Sequence, residues 1–171
     1  YHTVRDSNVD QFRRQLSFLR DHFSLLSLSE ILSRADEHAL PAVALTFDDG
    51  FRCLRGACLE VLEEYGIQAT FFIPTAFVEA GEHGTAGTDF WRLFPGAKEY
   101  QEPMTRDDLT SLVDRGHEIG SHGHSHVSLA ECTPQLCSVE LRRSRSLLQA
   151  WTGQPVTSFA FPYGESATSE V

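Results

Sequence analysis

Two short segments far apart in the chain, Thr46-Phe47-Asp48-Asp49-Gly50 and Ser121-His122-Gly123-His124-Ser125-His126, hold the ingredients of a mononuclear metal hydrolase. A divalent cation such as zinc accepts two imidazoles and one carboxylate and keeps a position for water or a substrate oxygen. The chain offers that set and a spare carboxylate beside it. Histidines at i and i+4 reach one ion if their segment turns helically. Adjacent aspartates in extended chain point apart, so one can bind metal while the other faces the attacking water. A bound cation lowers the pKa of its water from about 15.7 towards 7, and a neighbouring carboxylate can take the remaining proton.

Each segment also has a plainer reading. An Asp-Asp-Gly after a strand is often a turn with helix-capping acids. Three histidines in five residues can be a solvated loop or an adventitious nickel site. Pro162-Tyr163-Gly164 alone is an ordinary turn. His124, between the two expected ligands, should project elsewhere. His22, His38, His83 and His117 lack motif context and read as surface or structural residues. The joint occurrence of these segments in one α/β chain favours the metal hydrolase.

Alternating strand and helix patterns must position these groups. Val9 to Phe23 carries Phe12, Leu16, Leu19 and Phe23 at three- and four-residue steps, an amphipathic helix. Ser27-Leu28-Ser29-Glu30 is a capping box that starts a short helix. Ala42 to Phe47 reads as one buried strand ending in the two aspartates. A helix from about Leu54 to Tyr65 stops at Gly66, and Ala69 to Ile73 is the next strand, ended by Pro74. Glu79 to Pro103, with Phe90, Trp91, Phe94 and Tyr100 among glycines, prolines and polar residues, reads as a long surface excursion that lines a groove or plugs the domain. Thr105 to Asp108 caps a helix ending near Gly116, and Glu118 to Ser121 leads as a strand into the histidines. Thr133-Pro134 starts a long helix to about Trp151 with Gly153 as its stop, and Ser158 to Phe161 is a last short strand. Such repeated units imply a mainly parallel sheet, doubly wound or closed into a barrel, with functional groups at the carboxyl ends of the strands.

A length of 171 residues with 41% hydrophobic content suits one domain over residues 1–171. The net charge of −10, from 14 Lys plus Arg against 24 Asp plus Glu, argues against nucleic acid as a partner and for a neutral or cationic substrate. No apolar run approaches the roughly 20 residues that span a bilayer, and no basic-plus-apolar leader opens the chain. The chain begins at Tyr1 rather than at a Met and stops at Val171 a few residues past a strand, so a C-terminal portion is expected to be missing. Cys53, Cys58, Cys132 and Cys137 form two pairs with four residues between members. They read as buried or unpaired thiols, with local disulfides or a second metal site as alternatives.

The chain resembles the NodB-homology polysaccharide deacetylases, carbohydrate esterase family 4. The likeness lies in Thr46-Phe47-Asp48-Asp49-Gly50, His122-Gly123-His124-Ser125-His126 and Phe159-Ala160-Phe161-Pro162-Tyr163-Gly164, in that order. It implies a distorted (β/α) barrel of the NodB type, circularly permuted and C-terminally incomplete here. It also implies Asp49, His122 and His126 as metal ligands, Asp48 as general base, and the Tyr163 backbone N–H as an oxyanion donor. Zinc is the leading metal, with cobalt, nickel or iron as alternatives. The substrate implied is an N-acetylglucosamine-containing polysaccharide, and an extracytoplasmic or envelope location goes with that class. Non-carbohydrate C–N bonds, acetyl esters and an inactive sugar- or metal-binding module are the competing functions.

Two departures stand out. Many members have an arginine two residues before Pro162 that orients the base, and here that residue is Ala160. The usual downstream histidine acting as general acid is absent. In the branch that includes exopolysaccharide poly-N-acetylglucosamine deacetylases, a Tyr-His pair near the start substitutes for it, and this chain opens Tyr1-His2. The resemblance thus implies His2 as general acid, against a plain surface histidine on a frayed terminus.

Overall fold

A computed structural model describes residues 1–33, 41–82 and 102–165. Its strands are β1 (Ser24–Leu25), β2 (Ala42–Val43), β3 (Thr46–Phe47), β4 (Thr70–Ile73) and β5 (Glu118–Ser121). Its helices are α1 (Val9–His22), α2 (Leu28–Ser33), α3 (Ala57–Glu64), α4 (Thr75–Glu82), α5 (Arg106–Asp114) and α6 (Pro134–Thr152). The strands pair in parallel throughout, β1 with β2 in a small sheet and β3-β4-β5 in the main one. This is a mixed α/β architecture with parallel sheets, in keeping with the fold that the resemblance implies.

Two further segments extend the main sheet. The Tyr1 backbone N donates to Thr46 O and Asp48 N donates to Tyr1 O, both at 2.9 Å, the hydrogen-bond pattern of a parallel bridge about Phe47. At the other edge Phe159 bridges Ser121 in parallel. In order across the sheet lie Tyr1, β3, β4, β5 and Phe159, all running the same way, so their carboxyl ends share one edge. The first residues are docked rather than frayed: the Tyr1 ring stacks on Phe47 and meets Phe12 edge-on, and Val4 is buried.

Helices cover the sheet by burying one stripe each. Phe12 and Leu16 of α1 pack with Phe47, whose ring stacks on Phe71 at 5.0 Å. The expected caps form. Ser27 N donates to Glu30 Oε2 and Glu30 N donates back to Ser27 Oγ. Thr105 and Asp108 make the reciprocal box that starts α5. Thr133 Oγ1 accepts from Leu136 N at the head of α6, and Gly153 ends that helix in the left-handed region, φ 69°.

Several sequence expectations change. The single strand expected from Ala42 to Phe47 is two: the chain leaves the small sheet after Val43 and enters the main sheet at Thr46, each part pairing with a different parallel neighbour. The helix expected from Leu54 is a 3-10 turn, Arg52–Arg55, and then α3, broken at Gly56, whose ψ of −125° no helix continues through. Ser158 to Phe161 makes one bridge rather than a strand. The surface excursion begins inside a helix: α4 runs to Glu82 and buries Phe77 and Val78. Gly81 lies so close to the Pro103 ring that any Cβ would strike it, and Pro103 bridges Phe51, so the far end of the excursion packs on the domain. Its aromatics Phe90, Trp91, Phe94 and Tyr100 lie outside the described residues, as do His38 and His83. All four cysteines are free thiols, with Cys58 and Cys137 buried.

Candidate metal centre and active site

β3 hands the chain directly to Asp48 and Asp49. Asp48 stays half-buried at the strand end, while Asp49 turns into the left-handed region, φ 70°, and is almost fully buried. Gly50 continues the turn at φ 64°, where a side chain would be strained, and a hypothetical Cβ would lie only 2.8 Å from Ile73 Cδ1. β5 delivers His122 in the same way, its N–H donating to Ile73 O at 3.1 Å. The segment from His122 to His126 is an irregular loop rather than the helical turn expected from the i, i+4 spacing. Two left-handed residues, Gly123 at 77° and His126 at 55°, fold it back so that both rings face Asp49.

One ligand atom from each of Asp49, His122 and His126 lies within 4.8 Å of the others, and all three residues are buried. His126 Nε2 is 3.2 Å and His122 Nε2 3.5 Å from Asp49 Oδ1. Zinc holds nitrogen and oxygen ligands at about 2.0–2.2 Å, so ligands on neighbouring corners of its tetrahedron are roughly 3.4 Å apart. The observed separations match that edge. Asp49 Oδ1 is buried, yet neither imidazole is aligned to donate a hydrogen bond to it. Polar atoms that converge without bonding to one another fit a shared cation. Burial pushes the Asp49 carboxyl up; with no cation bound, the two facing imidazoles would outweigh it only as protonated donors, and would then hold the group at about 2.

The surroundings orient these groups. His122 Nδ1 donates to the Ala160 carbonyl at 2.9 Å, which leaves Nε2 of the neutral ring as the lone-pair nitrogen aimed at Asp49. The position where many family members carry arginine thus contributes through its backbone instead of its side chain. The Tyr163 ring meets His126 edge-on at 4.8 Å, and Tyr163 is left-handed as well, φ 60°. Asp49, His126 and Tyr163 are the non-glycine residues with positive φ among those described, and all sit at this site. His2 comes directly after the Tyr1 bridge at the same edge as Asp48 and is exposed. His124 turns away, bonding Thr75 Oγ1 through Nδ1 at 2.8 Å. His117 is structural, accepting from Ala69 N at 3.2 Å.

One participant escapes the motifs. Glu140 of α6 is buried and accepts from His124 N, Ser125 N and Ser125 Oγ at 2.7–2.9 Å. The sequence does carry a signal for it: Cys137, Glu140, Ser144 and Leu148 share one helical stripe, and all are buried. A carboxylate on a buried stripe needs a partner of its own.

A parallel α/β sheet with two imidazoles and a carboxylate gathered at its carboxyl edge defines a domain of the NodB-homology kind. The chain belongs to the polysaccharide deacetylase family, whose model matches residues 35–170. A chitin deacetylase of Pestalotiopsis sp is 28% identical over 120 residues, covering 70% of this chain and 33% of that protein. Among solved structures, the Streptococcus pyogenes deacetylase PplD in complex with acetate has a TM-score of 0.76 at 21% identity, covering 98% of this chain and 74% of that one. IcaB from Ammonifex degensii has a TM-score of 0.71 at 20% identity, covering 94% and 68%. These two likenesses concern the fold, and they extend over nearly the whole of this chain. The chain spans about half, or less, of the length of the curated relatives it matches. No helix among the described residues is long and apolar enough to cross a membrane.

Proposed function

We propose that this chain is a metal-dependent deacetylase that hydrolyses N-acetyl groups of an N-acetylglucosamine-containing polysaccharide. The convergence of Asp49, His122 and His126 within 4.8 Å, with Asp48 next in the chain, is the observation that carries this reading. Family membership supports it, as does the name of the chitin deacetylase relative. The three residues hold one divalent cation, zinc first, with cobalt, nickel or iron suited to the same donors. When bound, the cation supplies an acidified water and a Lewis acid for the amide carbonyl.

The protein residues divide the remaining work. Asp48 takes a proton from the attacking water. The Tyr163 backbone N–H donates to the tetrahedral oxyanion, in a turn stiffened by the fixed φ of Pro162 and by Gly164 N donating to Phe161 O at 3.0 Å. His2 protonates the leaving amine, and support for this comes from the Tyr1 bridge beside Asp48. The location in keeping with a polysaccharide substrate is extracytoplasmic or at the cell envelope.

Acetate release tests the reading. The zinc-loaded chain should free acetate from chitooligosaccharides in preference to acetyl esters and ureides, and Asp48→Asn should be slower by about 10²–10⁴-fold with zinc still bound. Equal rates for the two proteins would remove Asp48 as the base. Zinc binding without turnover on any glycan would replace the enzyme by a binding module.

A further inference from the structure

Resting on the metal reading above, we infer that Glu140 is a positioning residue: it sets the affinity of the centre by clamping the backbone of the loop that carries His122 and His126. The loop between these histidines is held from two sides. The first N–H groups of α4 bind its carbonyls, Thr75 N donating to Gly123 O at 3.3 Å and Ala76 N to His124 O at 2.9 Å. Its amides turn the other way. His124 N and Ser125 N both donate to Glu140 Oε2, at 2.8 and 2.7 Å, and Ser125 Oγ donates to Oε1 at 2.9 Å. One carboxylate on α6 therefore satisfies the two consecutive backbone donors that immediately precede His126.

This matters because the loop has no helix or ladder of its own. His126 sits at φ 55°, a conformation that persists only where its surroundings dictate it. If Glu140 lets go, the His124 and Ser125 amides must find other acceptors, and the peptide that aims His126 at Asp49 turns with them. The three hydrogen bonds of Glu140 go to the loop backbone and to Ser125, so its effect on the ligands passes through the loop. Partners of this indirect kind typically change metal affinity by about 10- to 100-fold.

Reach and charge can be separated. Glu140→Asp keeps the charge but draws the carboxylate back by about 1.5 Å, beyond hydrogen-bond distance of the loop. Glu140→Gln keeps the reach: its carbonyl oxygen can accept both amides while its NH2 donates to Ser125 Oγ. Leu148→Ala, a core truncation on the same helix, controls for general loss of stability. Zinc dissociation constants are measured by chelator competition well below every variant's melting temperature, with cobalt absorption spectra as a report on ligand geometry. Glu140→Asp should weaken zinc by at least about 10-fold and alter the cobalt spectrum. Glu140→Gln should stay within roughly threefold of wild type with an unchanged spectrum, and Leu148→Ala should lower the melting temperature without moving either readout. Wild-type affinity in Glu140→Asp, a loss in Glu140→Gln larger than in Glu140→Asp, or an equal loss in Leu148→Ala would each overturn the inference while leaving the metal centre standing. A wild-type chain that binds no zinc would instead remove the metal reading on which it rests.

Discussion

Zinc should raise the thermal stability of this chain, and Asp49→Asn should abolish most of the rise. Asp49 Oδ1 already lies 3.2 and 3.5 Å from the two imidazole nitrogens, close to the roughly 3.4 Å edge of a zinc tetrahedron, so binding needs little rearrangement of the fold. The unfolded chain keeps Asp49 and His122 remote, and the cation binds the native state selectively. At a free zinc concentration 1,000 times the dissociation constant, that selectivity is worth about 4 kcal/mol. A domain of this size gains about 2–4 °C per kcal/mol, so the melting temperature should rise by about 8–16 °C. The four free thiols can also bind zinc once the chain unfolds, which would shrink the shift. Asp49→Asn carries the same thiols and is therefore the right control. Melting curves monitored by circular dichroism, with chelator and with excess zinc, give both numbers. Equal shifts in wild type and Asp49→Asn would show that the cation binds elsewhere. No shift in wild type at saturating zinc would refute the fit argued from the distances.

Other outcomes rest on single contacts. Gly120→Ala would place a Cβ against the Phe72 ring and 2.7 Å from Ser158 Oγ between β4 and the Phe159 bridge; a cost of about 1–3 kcal/mol should appear as a lower urea midpoint at unchanged slope. Burial in the core, helped by nearby Cys53, pushes the Cys58 thiol up to about 12 from an ordinary 9. The stability of the neutral thiol is therefore whole below pH 9 and lost as pH rises towards 12, on the order of 4 kcal/mol, and Cys58→Ala should lack that alkaline loss when referred to its own stability at neutral pH. Burial also lowers the pKa of His117, which accepts from Ala69 N; stability held above pH 6.5 should fall as pH drops below it, and His117→Asn should flatten that fall in chemical denaturation. His2→Ala should change the alkaline limb of the kcat/KM profile at unchanged zinc affinity, whereas an active variant with the wild-type profile would exclude His2 as the acid.

Much of the site is legible in the sequence, because each part sits at the end of a local pattern. The apolar run from Ala42 to Phe47 and the segment from Glu118 to Ser121 read as strands, and parallel strands deliver the residues at their carboxyl ends to one edge. Caps at Ser27, Thr105 and Thr133 are equally readable, since a cap is a contact within a few residues. Sequence and structure part where distant partners decide. The run from Ala42 to Phe47 splits because β1 and β4 each claim part of it. The histidine loop is irregular because α4 and α6 supply its hydrogen bonds from outside, so no helical turn is needed to bring His126 back.

Local sequence, then, determined which donors this protein owns, the order in which strands would deliver them, and the family they belong to. Tertiary structure alone decided that Asp49, His122 and His126 meet, that the Ala160 carbonyl sets the His122 tautomer, and that Glu140 and Tyr1 serve the same edge. The reason is physical: residue identity and short-range spacing are written along the chain, whereas distances of a few ångströms between remote residues arise only when sheet register and helix packing close the chain upon itself.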